Sequence, residues 1–344
     1  MKQIDLRSDT VTRPTKGMLK AMMNAEVGDD VYGEDVSVKK LETIIAERAG
    51  KEAAIFAPSG TQSNLIALMS HCERGDEYIA GQTAHTYLWE GGGAAVLGSI
   101  QPQPLDFEED GSLCLKKVAL AIKIKDDHHA RSKLFCLENT TQGKVLPLDY
   151  LTTIKPFCDT HELSSHLDGA RLFNASVKLN VPLQTLCSHF DSISICLSKG
   201  LGAPVGSLLC GSKDFIQKAR RWRKMLGGGM RQAGILAAAG IYALEHQVER
   251  LQEDHDNAAF LAQELARMDE ITIDRRFLHT NIVSLRINDN YQQLKTHMSG
   301  QGILFPRQPN KLGFIRLVTH LDVTRNDLIK VIEELKNFFR QKKI

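Results

Sequence analysis

The stretch SISICLSKGLGAPVGSLLCG, residues 192–211, decides the fold. An apolar strand over 192–198 delivers Ser198 and Lys199 into a glycine-rich turn, and a second strand-like run, VGSLLC, leaves it. A lysine at the end of an apolar strand is costly to keep charged, which favours the neutral amine that a Schiff base needs. The alternative is a surface lysine in a loop. Gly200, Gly202 and Gly206 imitate a dinucleotide-binding fingerprint, but Pro204 and VGSLLC stand where that motif requires a helix. A Rossmann reading is therefore rejected.

Working outward, further apolar runs alternate with helix-length amphipathic segments. AAIFA (53–57) precedes GTQSNLIALMSHC, KLFCLEN (133–139) precedes PLDYLTTIKPFCDTH, and LSSHLD spans 163–168. This rhythm predicts a mostly parallel sheet with helices on both faces, whose ligand sites lie outside the C-terminal strand ends. A long helical stretch from about 231 to 268 then gives way to short strands, IVSLRI (282–287) and FIRLV (314–318), and a terminal helix from Asn326. We divide the chain into an N-terminal arm with a large α/β domain, 1–245, and a small C-terminal α+β domain, 246–344. No repeat or Pro/Ser-rich linker separates them, so the units share a helix, not a flexible tether. A length of 344 residues is ample for two such cores.

Lys+Arg number 43 and Asp+Glu 41, so a net charge of +2 gives no general case for nucleic acid or an anionic membrane. The expected partner is a small molecule. MKQIDLRSDT lacks the apolar core of a signal peptide and no apolar run reaches the ~18–20 residues of a membrane span, so a cytoplasmic location is expected. The 7 cysteines form no C-x-x-C pair and read as reduced core residues.

Three more strand-end motifs carry candidate chemistry. In PSGTQSN (58–64) a strand breaks at Pro58, turns at Gly60 and enters a helix, whose unpaired N–H groups suit a phosphate; a plain N-cap by Ser59 or Thr61 is the other reading. In HLDGAR (166–171) Asp168 ends a strand, where it could hold a pyridinium N–H or simply cap a helix, with Arg171 behind it. AHTYLWEGGGA (84–94) sets His85 near Trp89 and Glu90, either to stack on a planar cofactor or as an ordinary core histidine. Two motifs mislead. His161 and His166 in HELSSH are five apart, about 140° around a helix, so no metal is expected there. RRWRK (220–224) is a short basic patch that reads as a solvated or interface helix face, with Lys224 and Arg231 able to point towards a site.

Phosphate turn, histidine, aspartate and lysine occur in the order of a pyridoxal-5′-phosphate (PLP) site. The chain resembles the low-specificity L-threonine aldolases in LRSDTVTRPT (6–15), VGDDVYGED (27–35), GKEAAIFAPSGTQSN (50–64), AHTYLWEGGGAAVLGSIQPQP (84–104), LENTTQGKVLPL (137–148), HLDGARLFNA (166–175), ICLSKGLGAPVGSLL (195–209), RRWRKMLGGGMRQAGILAAAGIYAL (220–244) and RLVTHLDVT (316–324). Residues 268–313 match least.

The resemblance implies PLP fold type I, the aspartate-aminotransferase-like architecture, in a homotetramer built as a dimer of dimers with shared active sites. It implies retro-aldol cleavage of L-threonine, L-allo-threonine and related β-hydroxy-α-amino acids to glycine and an aldehyde, an aldehyde-lyase reaction. Another fold-type-I enzyme, a β-eliminating lyase or an aminotransferase, is the alternative. By motif position Lys199 would carry PLP covalently, Asp168 would pair with the pyridine nitrogen, His85 would stack on the ring, and Gly60 and Thr61 would bind phosphate. Ser8, Arg171 and Arg316 would meet the substrate carboxylate, with Arg171 also near the ring hydroxyl. Lys224 and Arg231 would line the site near phosphate or substrate, and Tyr32 and Glu90 would complete its wall. His128, in KDDHHAR beside His129, would touch the substrate β-hydroxyl; with His85 it is a candidate base.

Overall fold

The computed structural model describes residues 2–341; Met1 and the last three residues of the C-terminal unit lie outside them. The described strands are β1 (Ile4–Asp5), β2 (Ala53–Ala57), β3 (Asp76–Gly81), β4 (Gln101–Leu105), β5 (Arg131–Glu138), β6 (Ser164–Gly169), β7 (Ser192–Cys196), β8 (Ser207–Gly211), β9 (Ile271–Ile273), β10 (Ile282–Ile287), β11 (Ile303–Leu304) and β12 (Phe314–Val318). Seven form one sheet in the order β2-β8-β7-β6-β5-β3-β4. Only β8 runs against the rest, because the glycine-rich turn returns the chain from β7 directly to its neighbour without a crossover helix. The C-terminal ends of β2, β3, β5, β6 and β7 therefore share one edge with the start of β8.

Both faces of this sheet are covered, as the near-continuous apolar runs require. Ala54, Phe56, Phe135, Leu167, Ile193 and Ile195 point into a core with Leu41, Ile45, Leu151, Ile154 and Leu244. Their strand neighbours Ile55, Ala57 and Leu209 face the other way, onto Ile66, Ala67, Ile216 and Ala219 of the helices Gly60–His71 and Lys213–Met225. Strands β3 and β4 escape a pattern reading: β3 (DEYIAG) opens on two acids, and β4 (QPQPL) carries Pro102 and Pro104, which its place at the sheet edge tolerates.

The smaller core gathers β9, β10 and β12, paired antiparallel, with the helices Leu251–Leu265, Tyr291–Gly300 and Arg325–Gln341. Two readings of the sequence change here. The stretch 231–268 is two helices, Gly234–His246 and Leu251–Leu265, with residues 247–250 between them. The first residues of the chain, grouped above with the large domain, join the small one: Ile4 pairs with Ile303, and Ile4 and Leu6 are buried in its core.

The turn after β7 fixes the position of Lys199. Leu197 N–H donates to Gly206 O at 2.9 Å, and the N–H of Gly202 donates to Lys199 O at 2.9 Å. Gly206 has φ of 105°, and a Cβ there would stand 2.4 Å from the Phe56 ring. Gly206→Ala combines a forbidden backbone conformation with a steric clash, so we expect a loss of about 2 kcal/mol or more. Gly300→Ala, where a Cβ meets nothing within 4 Å, is expected to be neutral. Urea unfolding of both variants checks the difference.

Candidate active site

The helix Gly60–His71 starts at the end of β2 with Ser59 as N-cap, its Oγ accepting from Gln62 N at 3.1 Å. Ser59 is the cap, and Thr61 stands exposed in the first turn. Among the described residues the N–H groups of Gly60 and Thr61 make no hydrogen bond. Ser207 Oγ, buried and without a partner, lies 3.4 Å from where a Gly60 Cβ would be. Unused donors at a helix N-terminus suit an anion such as phosphate.

On the face of the sheet under this helix, β5, β6 and β7 place Cys136 and Glu138, His166 and Asp168, and Ser192 and Ser194 side by side. Asp168 is nearly fully buried; its Oδ1 accepts from Ala170 N at 3.0 Å and its Oδ2 from Asn64 Nδ2 at 2.8 Å. His85 starts a short helix after β3. Its Nδ1 lies 2.7 Å from Glu90 Oε1, and its N–H donates to Glu138 Oε2 at 2.8 Å. His85, Glu90 and Asp168 each bring one polar atom within 4.8 Å of the other two. The bond to Glu90 pushes the His85 pKa up, while burial pushes Glu90 up, so the pair shares one proton between Nδ1 and Oε1. Burial, and then the Asp168 charge, raise Glu138 as well. Among the described residues Lys199 Nζ has no hydrogen-bond partner, and Asp9, Glu138 and His85 lie within range of its charge.

Arg171 is held by Asp9 in a bidentate pair, Nε to Oδ2 at 2.8 Å and Nη2 to Oδ1 at 2.7 Å. Asp9 is fully buried, and despite that burial Arg171 holds its carboxyl down at about 2. Ser8 precedes it, with Oγ accepting from Thr10. Arg316, on β12, is open to solvent yet ringed by protein, as a cleft residue is; crowding, then the neighbouring Arg171, lower its pKa against the pull of Asp9. It makes no hydrogen bond to a described residue.

Other candidates fall elsewhere. Tyr32, Lys224 and Arg231 cluster beside the 226–229 loop: Arg231 pairs with Asp29 at 2.9 Å and lies over the Tyr32 ring. Tyr32 and Lys224 line an open depression of about 570 Å³ with Glu42, Arg220 and Arg223. This group borders the phosphate turn through Gln62, whose Nε2 donates to Leu226 O at 3.1 Å, but the depression does not reach Lys199. The RRWRK segment lies on the helix Lys213–Met225, where Arg220 pairs with Glu42 at 2.6 Å and Arg223 with Asp30 at 2.8 Å. His128 lies apart from this sheet edge within a single chain. Its loop precedes β5, whose far end carries Glu138, so about seven strand residues, roughly 23 Å, separate it from the site within one chain. There it is exposed and bonded to Asp126 at 2.6 Å. Sequence reasoning missed Asp9, Asn64, Glu138, His166 and Ser192. The Ser/Ile alternation of SISIC, in a strand buried on both faces, was the available signal.

His71 and His166 lie in this polar layer. His71 Nε2 is 2.7 Å from Ser192 Oγ, which is 2.8 Å from His166 Nδ1; His166 Nε2 is 3.3 Å from Asn64 Oδ1. His166 is no metal ligand of a HELSSH helix, since it sits in β6 and His161 follows the preceding helix against Phe157. Burial lowers His166 to about 3 and His71 to about 4, so both rings are neutral near pH 7.

The family model for beta-eliminating lyases matches residues 5–288. The low specificity L-threonine aldolase of Escherichia coli (strain K12) is 56% identical over 336 residues, which is 97% of this chain and 99% of that protein. A threonine aldolase structure from Leishmania major superposes with a TM-score of 0.83 at 23% identity, over 97% of this chain and 99% of the other. A PLP-dependent aminotransferase from Streptococcus suis gives 0.73 at 18% identity, over 98% and 93%.

The two buried histidines bind protons in the unfolded chain, near 6.5, but not in the folded one. Stability is therefore complete above about pH 6.5 and is lost as pH falls towards 4 and 3. We expect the melting temperature to drop between pH 6.5 and 4, and the drop to be smaller in His166→Gln; scanning calorimetry across that range checks it.

Proposed function

The chain belongs to the beta-eliminating lyase family, and within it to the low-specificity L-threonine aldolases, and on that footing we propose that it splits L-threonine and L-allo-threonine into glycine and acetaldehyde with PLP bound on Lys199. The observation that carries this reading is the meeting, at one sheet edge, of an unpaired lysine amine, a hydrogen-bonded buried aspartate, an anchored histidine and a helix start with unused N–H groups. This donor set matches the cofactor part by part: amine for its carbonyl, carboxylate for its ring nitrogen, imidazole for its ring face, and N–H groups of Gly60 and Thr61 for its phosphate. When bound, PLP supplies an electron sink for the electron pair of the Cα–Cβ bond.

The chain's own residues hold and orient the amino acid. Arg316 is the free guanidinium of the cleft and anchors the carboxylate, because Asp9 already occupies two of Arg171's donors. Arg171 and Ser8 complete that end of the site. The β-hydroxyl proton must leave as the aldehyde forms. Glu90 fixes His85 through Nδ1 and leaves Nε2 to take that proton, directly or through water.

A role for His128 at the β-hydroxyl requires a second copy to bring its loop over the cleft, and Tyr32, Lys224 and Arg231 equally suit a shared wall. Leu19, Met23, Tyr32, Val96, Leu97 and Met225 stand exposed, which supports a homo-oligomer, a tetramer by resemblance. Among the described residues no helix is long and apolar enough to cross a membrane.

Lys199→Ala is expected to abolish steady turnover of L-threonine. Borohydride reduction and peptide mapping of the native protein should label Lys199, and a label on another lysine would refute the assignment. Arg316→Gln is expected to raise KM for L-threonine about 10- to 100-fold with a smaller change in kcat, the cost of losing a charged contact to the carboxylate. Steady-state rates decide it.

A further inference from the structure

The hydrogen bonds under the Gly60–His71 helix form one directed chain. Asn64 Nδ2 has two hydrogens and donates to two carboxylates, Asp168 Oδ2 and Glu90 Oε1, each at 2.8 Å. Its Oδ1 must then accept, so His166 Nε2 carries the hydrogen of that contact. With that ring neutral, His166 Nδ1 accepts from the Ser192 hydroxyl, and Ser192 accepts from His71 Nε2–H. Every donor points the same way, from His71 towards the two carboxylates. Asn64, His166 and Ser192 are buried, so none has water as a substitute partner.

We propose that Asn64 and His166 are positioning residues that set Asp168 and the His85–Glu90 pair at a fixed separation, one amide serving both the ring-nitrogen partner and the ring-stacking histidine. The Asn64 amide can do this only if its oxygen faces His166, and the Nε2–H of His166 holds it so. Turned over, the amide would set its oxygen against two carboxylates. The inference rests on the reading of Asp168 as the ring-nitrogen partner.

Two substitutions separate positioning from mere packing. Gln in place of His166 keeps an N–H near Nε2 and so can still donate to Asn64. Asn keeps a polar group only near Nδ1 and leaves Asn64 Oδ1 without its donor. Cofactor-depleted protein is titrated with pyridoxal 5′-phosphate, following the visible absorbance, for wild type, His166→Gln, His166→Asn and Asp168→Asn, with melting of the depleted proteins as a control for folding. The expected result is roughly tenfold weaker binding and an altered visible spectrum in His166→Asn, with His166→Gln within about twofold of wild type. If Asp168→Asn loses affinity while the two His166 variants bind alike, the positioning role is overturned and the Asp168 reading stands. If Asp168→Asn binds as wild type does, both fall.

Discussion

A single buried ion pair joins the three parts of this molecule. Asp9 comes from the N-terminal arm, Arg171 from the loop after β6 of the large sheet, and Asn281, which donates to Asp9 Oδ2 at 3.1 Å, from the segment before β10 in the small domain. A carboxylate stripped of water is tolerable only when its lone pairs are taken up by well-placed donors, and here a bidentate guanidinium and an amide supply them. Removing Asp9 or Arg171 leaves the other without its ionic partner, and removing Asn281 takes one donor from the buried carboxylate. Arg316, on β12 of the small domain, lies within range of the charges of Arg171 and Asp9, and Lys199 within range of Asp9.

The same electrostatic economy runs across the floor of the site. Glu90, Glu138 and Asp168 crowd one sheet edge, and like charges at that spacing in a desolvated place cannot all be ionised cheaply. Glu138 and Glu90 are accordingly pushed towards their neutral forms, Glu90 sharing a proton with His85. Arg171 and Arg316 supply compensating positive charge around the rim. The arrangement keeps weak acids beside a free amine, which suits a reaction that moves protons among carbon, oxygen and nitrogen near neutral pH.

Much of this was legible in the chain, for reasons that are physical. AAIFA, IVSLRI and FIRLV match β2, β10 and β12 residue for residue, because strands that are largely buried write themselves as predominantly apolar or β-branched runs. Lys199, Asp168 and His85 stood out because a charged or polar group at a strand end interrupts such a run. Strands β1, β3, β4 and β11 were missed because two residues, leading acids or alternating prolines leave no period to read. Asn64 sits inside a helix and His166 inside a strand, where only the fold reveals that they meet. The expectation for His128 came from motif position alone, and within one chain its loop stands at the other end of β5 from Glu138.

The pairing of β1 with β11 binds Ile4 to Ile303, contacts almost the whole chain apart. Ser8 and Asp9 follow on this strand, so they have no structural home until Ile303 has been made. The large sheet can assemble during translation, since its strands lie between residues 53 and 211. The site cannot, because β1 must wait for β11 and so distant a contact forms slowly. A product whose synthesis stalls before β11 would therefore carry a folded sheet and Lys199 but no finished site.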